Sequence, residues 1–131
     1  AEAGVRTEVQ VDPDVPEVRA DAEMLRQAFL NLCVNAVQAM HPGGGKLSVR
    51  LQREGSGVRV DFADTGPGME AEVRAHVFEP FYTTKANGTG LGLAIVRQAA
   101  EAHGGSVEVE SRLGEGSTFR VRLPGPEEAA P

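Results

Sequence analysis

The amino-acid sequence predicts an α+β fold, a two-layer α/β sandwich whose mixed, mostly antiparallel sheet carries about three helices on one face. Three observations predict it. Several short runs alternate apolar and polar residues, the period of a strand with one wet face; strands of an all-parallel sheet, buried on both faces, would be apolar throughout. Two longer runs repeat apolar residues at helical spacing instead. Their order is strand, helix, hairpin, helices, hairpin, without the βαβαβ rhythm of a doubly wound sheet.

Val5–Val11 alternates as a strand, and Asp12–Pro16 ends it. Asp21 is the expected N-cap of a helix running to about Met40, where Pro42 and Gly43–Gly45 stop it. The expected core stripe of that helix is Phe29, Leu32, Cys33, Ala36 and Val37. Gln27, Asn31, Asn35 and Gln38 recur at the same spacing on another face, so the two asparagine carboxamides stand one turn apart. A row of neutral amides suits a cleft that needs oxygen acceptors with little negative charge; a helix with a few surface amides is the plainer alternative. Lys46–Arg53 alternates with Leu47, Val49 and Leu51 on one side. After the turn Gly55-Ser56-Gly57, Val58–Asp64 alternates with Val58, Val60 and Phe62 inward, which makes a hairpin. By parity Asp64 then falls on the apolar side.

Thr65–Met69 is a turn leading to a short helix near Glu70–His76, and Phe78–Gly90 has no definite period. A second long helix is expected from about Thr89–Leu91 to His103, with Leu91, Ala94, Ile95, Ala99 and Ala102 as its stripe and Gly104-Gly105 as its stop. Ser106–Ser111 and Thr118–Leu123 alternate around a turn at Gly114–Gly116. Residues 1–124 read as one domain, and 125–131 as a disordered tail.

At 131 residues the chain can bury a core of its own. No apolar run approaches the roughly 20 residues of a membrane span, and the N-terminus lacks a signal peptide's basic-then-apolar order, so a cytoplasmic domain is expected. Its parent protein could be membrane-attached or soluble. The lone Cys33 excludes a disulfide scaffold. A net charge of −6 argues against nucleic acid, so any anionic ligand needs local devices: a metal, backbone N–H groups, a lysine.

Asp64 needs donors, because an unpaired buried charge is expensive. It is either a turn aspartate bonding the Gly66 N–H or an acceptor for the exocyclic amine of a purine. The second reading selects adenine over guanine, which offers a carbonyl there. Gly66 and Gly68 would let the backbone approach a planar ligand. Gly88-Thr89-Gly90-Leu91-Gly92 leads into a helix, a place to hold phosphates. It is not a dinucleotide fingerprint, since Leu93 stands where the third glycine belongs; nor is Gly45-Lys46-Leu47 a P-loop. The irregular 79–89 segment, carrying Lys85, reads as a lid that orders on a ligand. Asn35 could fix Mg²⁺, which keeps most of its waters and takes few protein oxygens.

With these residues in place, the chain resembles the catalytic ATP-binding domain of bacterial sensor histidine kinases, in the superfamily shared with gyrase, heat-shock chaperone and mismatch-repair ATPases. Asn31-Leu32-Cys33-Val34-Asn35-Ala36 resembles the N box and Asp64-Thr65-Gly66-Pro67-Gly68-Met69 the first glycine box. Phe78-Glu79-Pro80-Phe81-Tyr82-Thr83-Thr84-Lys85 resembles an F box of the nitrogen-regulation type. Gly88–Leu93 resembles the second glycine box and Gly114–Phe119 the last turn. Five motifs in order, spanning about residues 5–123, are a specific match.

The resemblance implies a Bergerat-type fold in which Asn35 binds Mg²⁺ and Asn31 reaches the phosphates of ATP. It implies that Asp64 takes the adenine amine, that Gly66, Gly68 and Met69 shape its pocket, and that Thr118 lies beside Asp64. Lys85 with Gly88, Thr89, Gly90, Leu91 and Gly92 would cover the phosphates. Ala39 departs from the family, many members of which have an aromatic residue there, so stacking on the base should be weaker. Water-hydrolysing relatives and anti-sigma serine kinases carry a glutamate base where Asn31 stands, and Asn31 cannot take a proton. Phosphoryl transfer to a histidine on an upstream dimerisation domain, and from there to a response regulator, is the implied activity. A nucleotide-sensing module and a serine kinase or hydrolytic ATPase are the alternatives. None of His41, His76 and His103 has the acidic neighbour of an acceptor histidine, so the isolated domain is expected to be a monomer lacking its acceptor.

Overall fold

Period-two alternation produces five strands, and the computed structural model, which describes residues 4–82 and 92–125, joins them in one sheet. In chain order the elements are β1 (Val5–Val11), α1 (Ala22–Ala39), β2 (Gly45–Glu54), β3 (Gly57–Asp64), α2 (Ala71–His76), α3 (Gly92–Ala102), β4 (Ser106–Ser111) and β5 (Ser117–Leu123). The sheet order is β1-β2-β3-β5-β4. Only the edge pair β1–β2 is parallel; the others are antiparallel, as the one-faced alternation predicts.

One face of the sheet is apolar. Leu47, Val58, Val60, Phe62, Phe119, Val121 and Leu123 are buried beneath Ala28, Leu32 and Ala36 of α1, its C-cap Met40, and Val96, Ala99 and Ala100 of α3. The other face carries a ladder of ion pairs, with Arg120 between Asp61 and Glu110, and Arg122 between Glu54 and Glu108. Such partly exposed pairs add little stability each, and they keep this face wet.

Asp21 caps α1 as expected, its Oδ1 accepting from the Met24 N–H at 3.0 Å. Helices α1 and α3 run antiparallel, tied at one end where the Asp21 N–H donates to His103 Nε2 at 2.9 Å. His103 Nδ1 in turn lies 2.7 Å from the Ala99 carbonyl, so it carries the ring proton.

Two of the expected helix faces are corrected. Val37 of α1 is exposed, and Ala28 and Met40 are buried instead. On α3 the core residues are Val96, Ala99 and Ala100, while Ile95 is 38% exposed and Ala102 faces solvent. Both helices have apolar residues on more than one side, so the partner surface chooses which side is covered. Leu91 lies outside the described residues, as do 126–131 of the expected tail. Among the described residues no helix is long and apolar enough to cross a membrane.

Candidate functional site

The inward parity of Val58, Val60 and Phe62 carries the side chain at the end of β3 to the buried face, and that residue is Asp64, 6% exposed. Its Oδ1 accepts from the Gly66 N–H at 2.9 Å, and the Ser117 N–H also bonds the carboxylate. Burial pushes the carboxyl above the usual carboxylate range, and the two backbone donors pull part of the way back. Gly66 is wedged between two oxygens: a Cβ there would stand 3.0 Å from Asp64 Oδ1 and 3.2 Å from the Ala39 carbonyl. Ala39 thus borders the first glycine turn, at the position where an aromatic residue was noted as missing.

The rest of that turn is strapped to its surroundings. Thr65 Oγ1 accepts from the Lys46 N–H at 3.0 Å, and the Pro67 carbonyl accepts from the Gly114 N–H at 2.7 Å. The Met69 N–H donates to Ser111 Oγ at 2.8 Å. At Gly68 the backbone passes so close to the Arg112 carbonyl that a Cβ would lie 1.9 Å from its oxygen. Gly116 is pressed as closely on the Asp64 carbonyl.

Asn31 stands on the α3-facing side of α1. Asn31 Nδ2 donates to the Gly92 carbonyl at 3.3 Å, and its Oδ1 accepts from Gln27 Nε2 at 3.3 Å, so Asn31 ties α1 to the first residue of α3. Asn35 follows one turn later and is half-buried. Lys85, Gly88, Thr89, Gly90 and Leu91, like most of the expected lid, lie outside the described residues. Phe78, the first F-box residue, packs edge-on against Phe119 with ring centroids 5.9 Å apart, whereas Phe81 is 75% exposed. Among the described residues no three His, Cys, Asp or Glu side chains stand close enough to hold a metal.

Thr118 is not beside Asp64. The β3–β5 register pairs Asp64 with Ser117 and Ala63 with Thr118, which puts Thr118 on the ion-pair face. Alternation decides this: Phe119, Val121 and Leu123 point inward, so Ser117 does too. The same alternation is present in the sequence of residues 117–123. Ser111, a serine at a strand end, carries no local mark in the sequence.

A buried carboxylate at a strand end, a glycine turn bonded to it and a helix bearing two amides define a class: a two-layer domain with buried polar groups at one end of an otherwise apolar sheet face. The profile of the histidine kinase-, DNA gyrase B- and HSP90-like ATPases matches residues 20–127. The sensor histidine kinase ZraS of Escherichia coli (strain K12) is 46% identical over 110 residues, which are 84% of this chain and 23% of that protein. The solved catalytic domain of histidine kinase ThkA superposes with a TM-score of 0.85 at 33% identity, covering 97% of this chain and 84% of that one. Full-length ShkA in complex with AMPPNP gives a TM-score of 0.79 at 40% identity, over 94% of this chain and 26% of that one. The chain belongs to the histidine kinase-, DNA gyrase B- and HSP90-like ATPases, and among them to the catalytic domains of histidine kinases. It spans about a quarter of the length of the ZraS sensor histidine kinases it is similar to.

Proposed function

We propose that this domain binds Mg²⁺·ATP and donates the γ-phosphoryl group to a histidine on a dimerisation domain of the same protein, from which a response regulator takes it. The observation that carries the reading is Asp64, a carboxylate 6% exposed and held by two backbone N–H groups, with no basic side chain paired to it among the described residues. Structural carboxylates are rarely buried this way, and a group that accepts a purine amine has to be.

In this reading Asp64 accepts from the adenine amine, with Ser117 beside it in the place first expected of Thr118. Gly66, Gly68 and Met69 form the pocket wall. The Asn31 amide keeps α1 and the start of α3 together and borders the phosphate region, which Lys85 and Gly88–Gly92 cover. The residues fit a magnesium ion: Asn35 would supply one neutral oxygen, and phosphates and water the remainder. When bound, Mg²⁺ would neutralise charge on the transferring phosphoryl group. No carboxylate base stands at Asn31, which favours transfer to an outside nucleophile over hydrolysis. The domain sits on the cytoplasmic side; when isolated it is a monomer, and nucleic acid is not among its partners.

The test fuses the chain to an upstream histidine-bearing dimerisation domain and supplies ATP labelled at the γ-phosphate. Label on that histidine is expected. Steady release of free phosphate with no labelled protein would reject transfer in favour of hydrolysis, and binding with neither product would leave a nucleotide sensor.

A further inference from the structure

We propose that Ser111 is a positioning residue for the base pocket: its hydroxyl joins the Gly66–Met69 turn to the Gly116–Ser117 edge, so that both walls around Asp64 are set together. This rests on the nucleotide reading above and adds to it a residue that touches no nucleotide.

Ser111 ends β4 and is 6% exposed. Three polar groups from two segments converge on its Oγ. The Met69 N–H donates to it at 2.8 Å, the Gly116 carbonyl lies at 3.1 Å and Ser117 Oγ at 2.8 Å. A hydroxyl has one proton and two lone pairs. It accepts from Met69 with one pair. If its proton goes to the Gly116 carbonyl, the second pair accepts from the Ser117 hydroxyl, and all four groups are satisfied. The reverse arrangement, with the Ser111 proton on Ser117 Oγ, takes the donor away from the Gly116 carbonyl. The satisfied arrangement turns the Ser117 proton toward Ser111 and leaves the Ser117 lone pairs as acceptors beside Asp64. Two neighbouring acceptors, Asp64 and Ser117, suit the amine edge of adenine and oppose the carbonyl of guanine.

The backbone around Ser111 makes the same junction. Its carbonyl accepts from Arg74 of α2 at 2.7 Å, and the next carbonyl, that of Arg112, is the one pressed against Gly68. The first glycine turn therefore rests on β4 through Ser111 and its neighbour. Deleting the hydroxyl leaves a half-buried Met69 N–H unpaired, and the turn gains freedom to move away from Asp64.

The test titrates the chain with MgATP and with MgGTP by calorimetry, comparing wild type, Ser111→Ala and Asp64→Asn, and follows amide exchange by NMR. For Ser111→Ala we expect about tenfold weaker MgATP binding, a similar fall in the ATP-to-GTP preference, and about tenfold faster exchange at the Met69 amide. Exchange at Leu32 of α1 should stay unchanged, which separates a positioning role from general loosening. If Ser111→Ala binds and discriminates like wild type while Asp64→Asn is impaired, Ser111 has no such role and the nucleotide reading stands. If Asp64→Asn binds like wild type, the nucleotide reading falls and takes the Ser111 assignment with it. Should Ser111→Ala fail to fold, the wild-type chain decides. Met69 exchanging as slowly as strand amides supports the junction, and Met69 exchanging as fast as exposed turn amides overturns it.

Discussion

Gly68→Ala and Gly114→Ala form a matched pair that separates backbone conformation from close approach. Both glycines have positive φ, +76° and +81°, so both substitutions pay the left-handed penalty of about 1–2 kcal/mol. Each recovers about 0.4–1 kcal/mol by stiffening the unfolded chain. Around Gly114 there is nothing within 4 Å of an added Cβ, so the balance ends there, at about 1 kcal/mol of destabilisation. At Gly68 the Cβ would lie 1.9 Å from the Arg112 carbonyl oxygen and 2.7 Å from its carbon. That is roughly 1.5 Å short of ordinary contact, and the obstacle is backbone rather than a rotatable side chain. Overpacking of this kind costs a further 1–3 kcal/mol or so, for a total of about 2–4 kcal/mol. The relief available is for the Gly66–Met69 turn to retreat, which moves it away from Asp64. Urea unfolding should therefore show Gly68→Ala losing at least about twice what Gly114→Ala loses. Calorimetry should show MgATP affinity down by about tenfold or more for Gly68→Ala and nearly unchanged for Gly114→Ala. Equal destabilisation with equal binding would refute the argument that this turn is held by contact with residue 112.

Asp64 should couple stability and binding to pH in opposite directions. Its carboxyl is raised by burial, so the protonated folded form contributes stability that is complete below the unfolded pKa and lost as pH rises through the folded one. Adenine binding needs the ionised acceptor and should strengthen over that same rise. Urea midpoints and nucleotide titrations from about pH 4 to about pH 7 should show both trends, and Asp64→Asn should flatten both; a wild-type affinity that does not vary across this range contradicts the assignment. Asn35→Ala should make titrations with and without Mg²⁺ converge, and a metal dependence like that of wild type rejects Asn35 as the metal-binding amide. His103→Ala removes the Asp21 and Ala99 bonds at the joint between α1 and α3, and with the Asp21 N–H exposed to water should cost about 0.5–1.5 kcal/mol in urea unfolding. An unchanged midpoint would show that this contact contributes nothing.

Much of the fold and the central residue of the candidate site were legible before any coordinates. The Asp21 cap, the hairpin of β2 and β3 and the inward turn of Asp64 all follow from interactions within a few residues, where period and side-chain chemistry are sufficient. The inward parity of β5 was legible in the same way, whereas the resemblance alone put Thr118 in the place that Ser117 holds. The inward faces of α1 and α3 were not fully legible: Val37 and Ile95 are as apolar as the residues that are buried, and only the packing of α1 against α3 and the sheet distinguishes them.

The sequence by itself determined the elements, their order, the wet face of the sheet and the buried carboxylate, because period, caps and turns act between residues close together in the chain. Tertiary structure alone decided which partners meet across long separations. The Met69 N–H finds Ser111 across 42 residues, and Asp21 finds His103 across 82. A serine or a histidine accepts from whatever donor the fold delivers, so its own neighbours in sequence cannot name that donor. Here the folded sheet and the paired helices supply it.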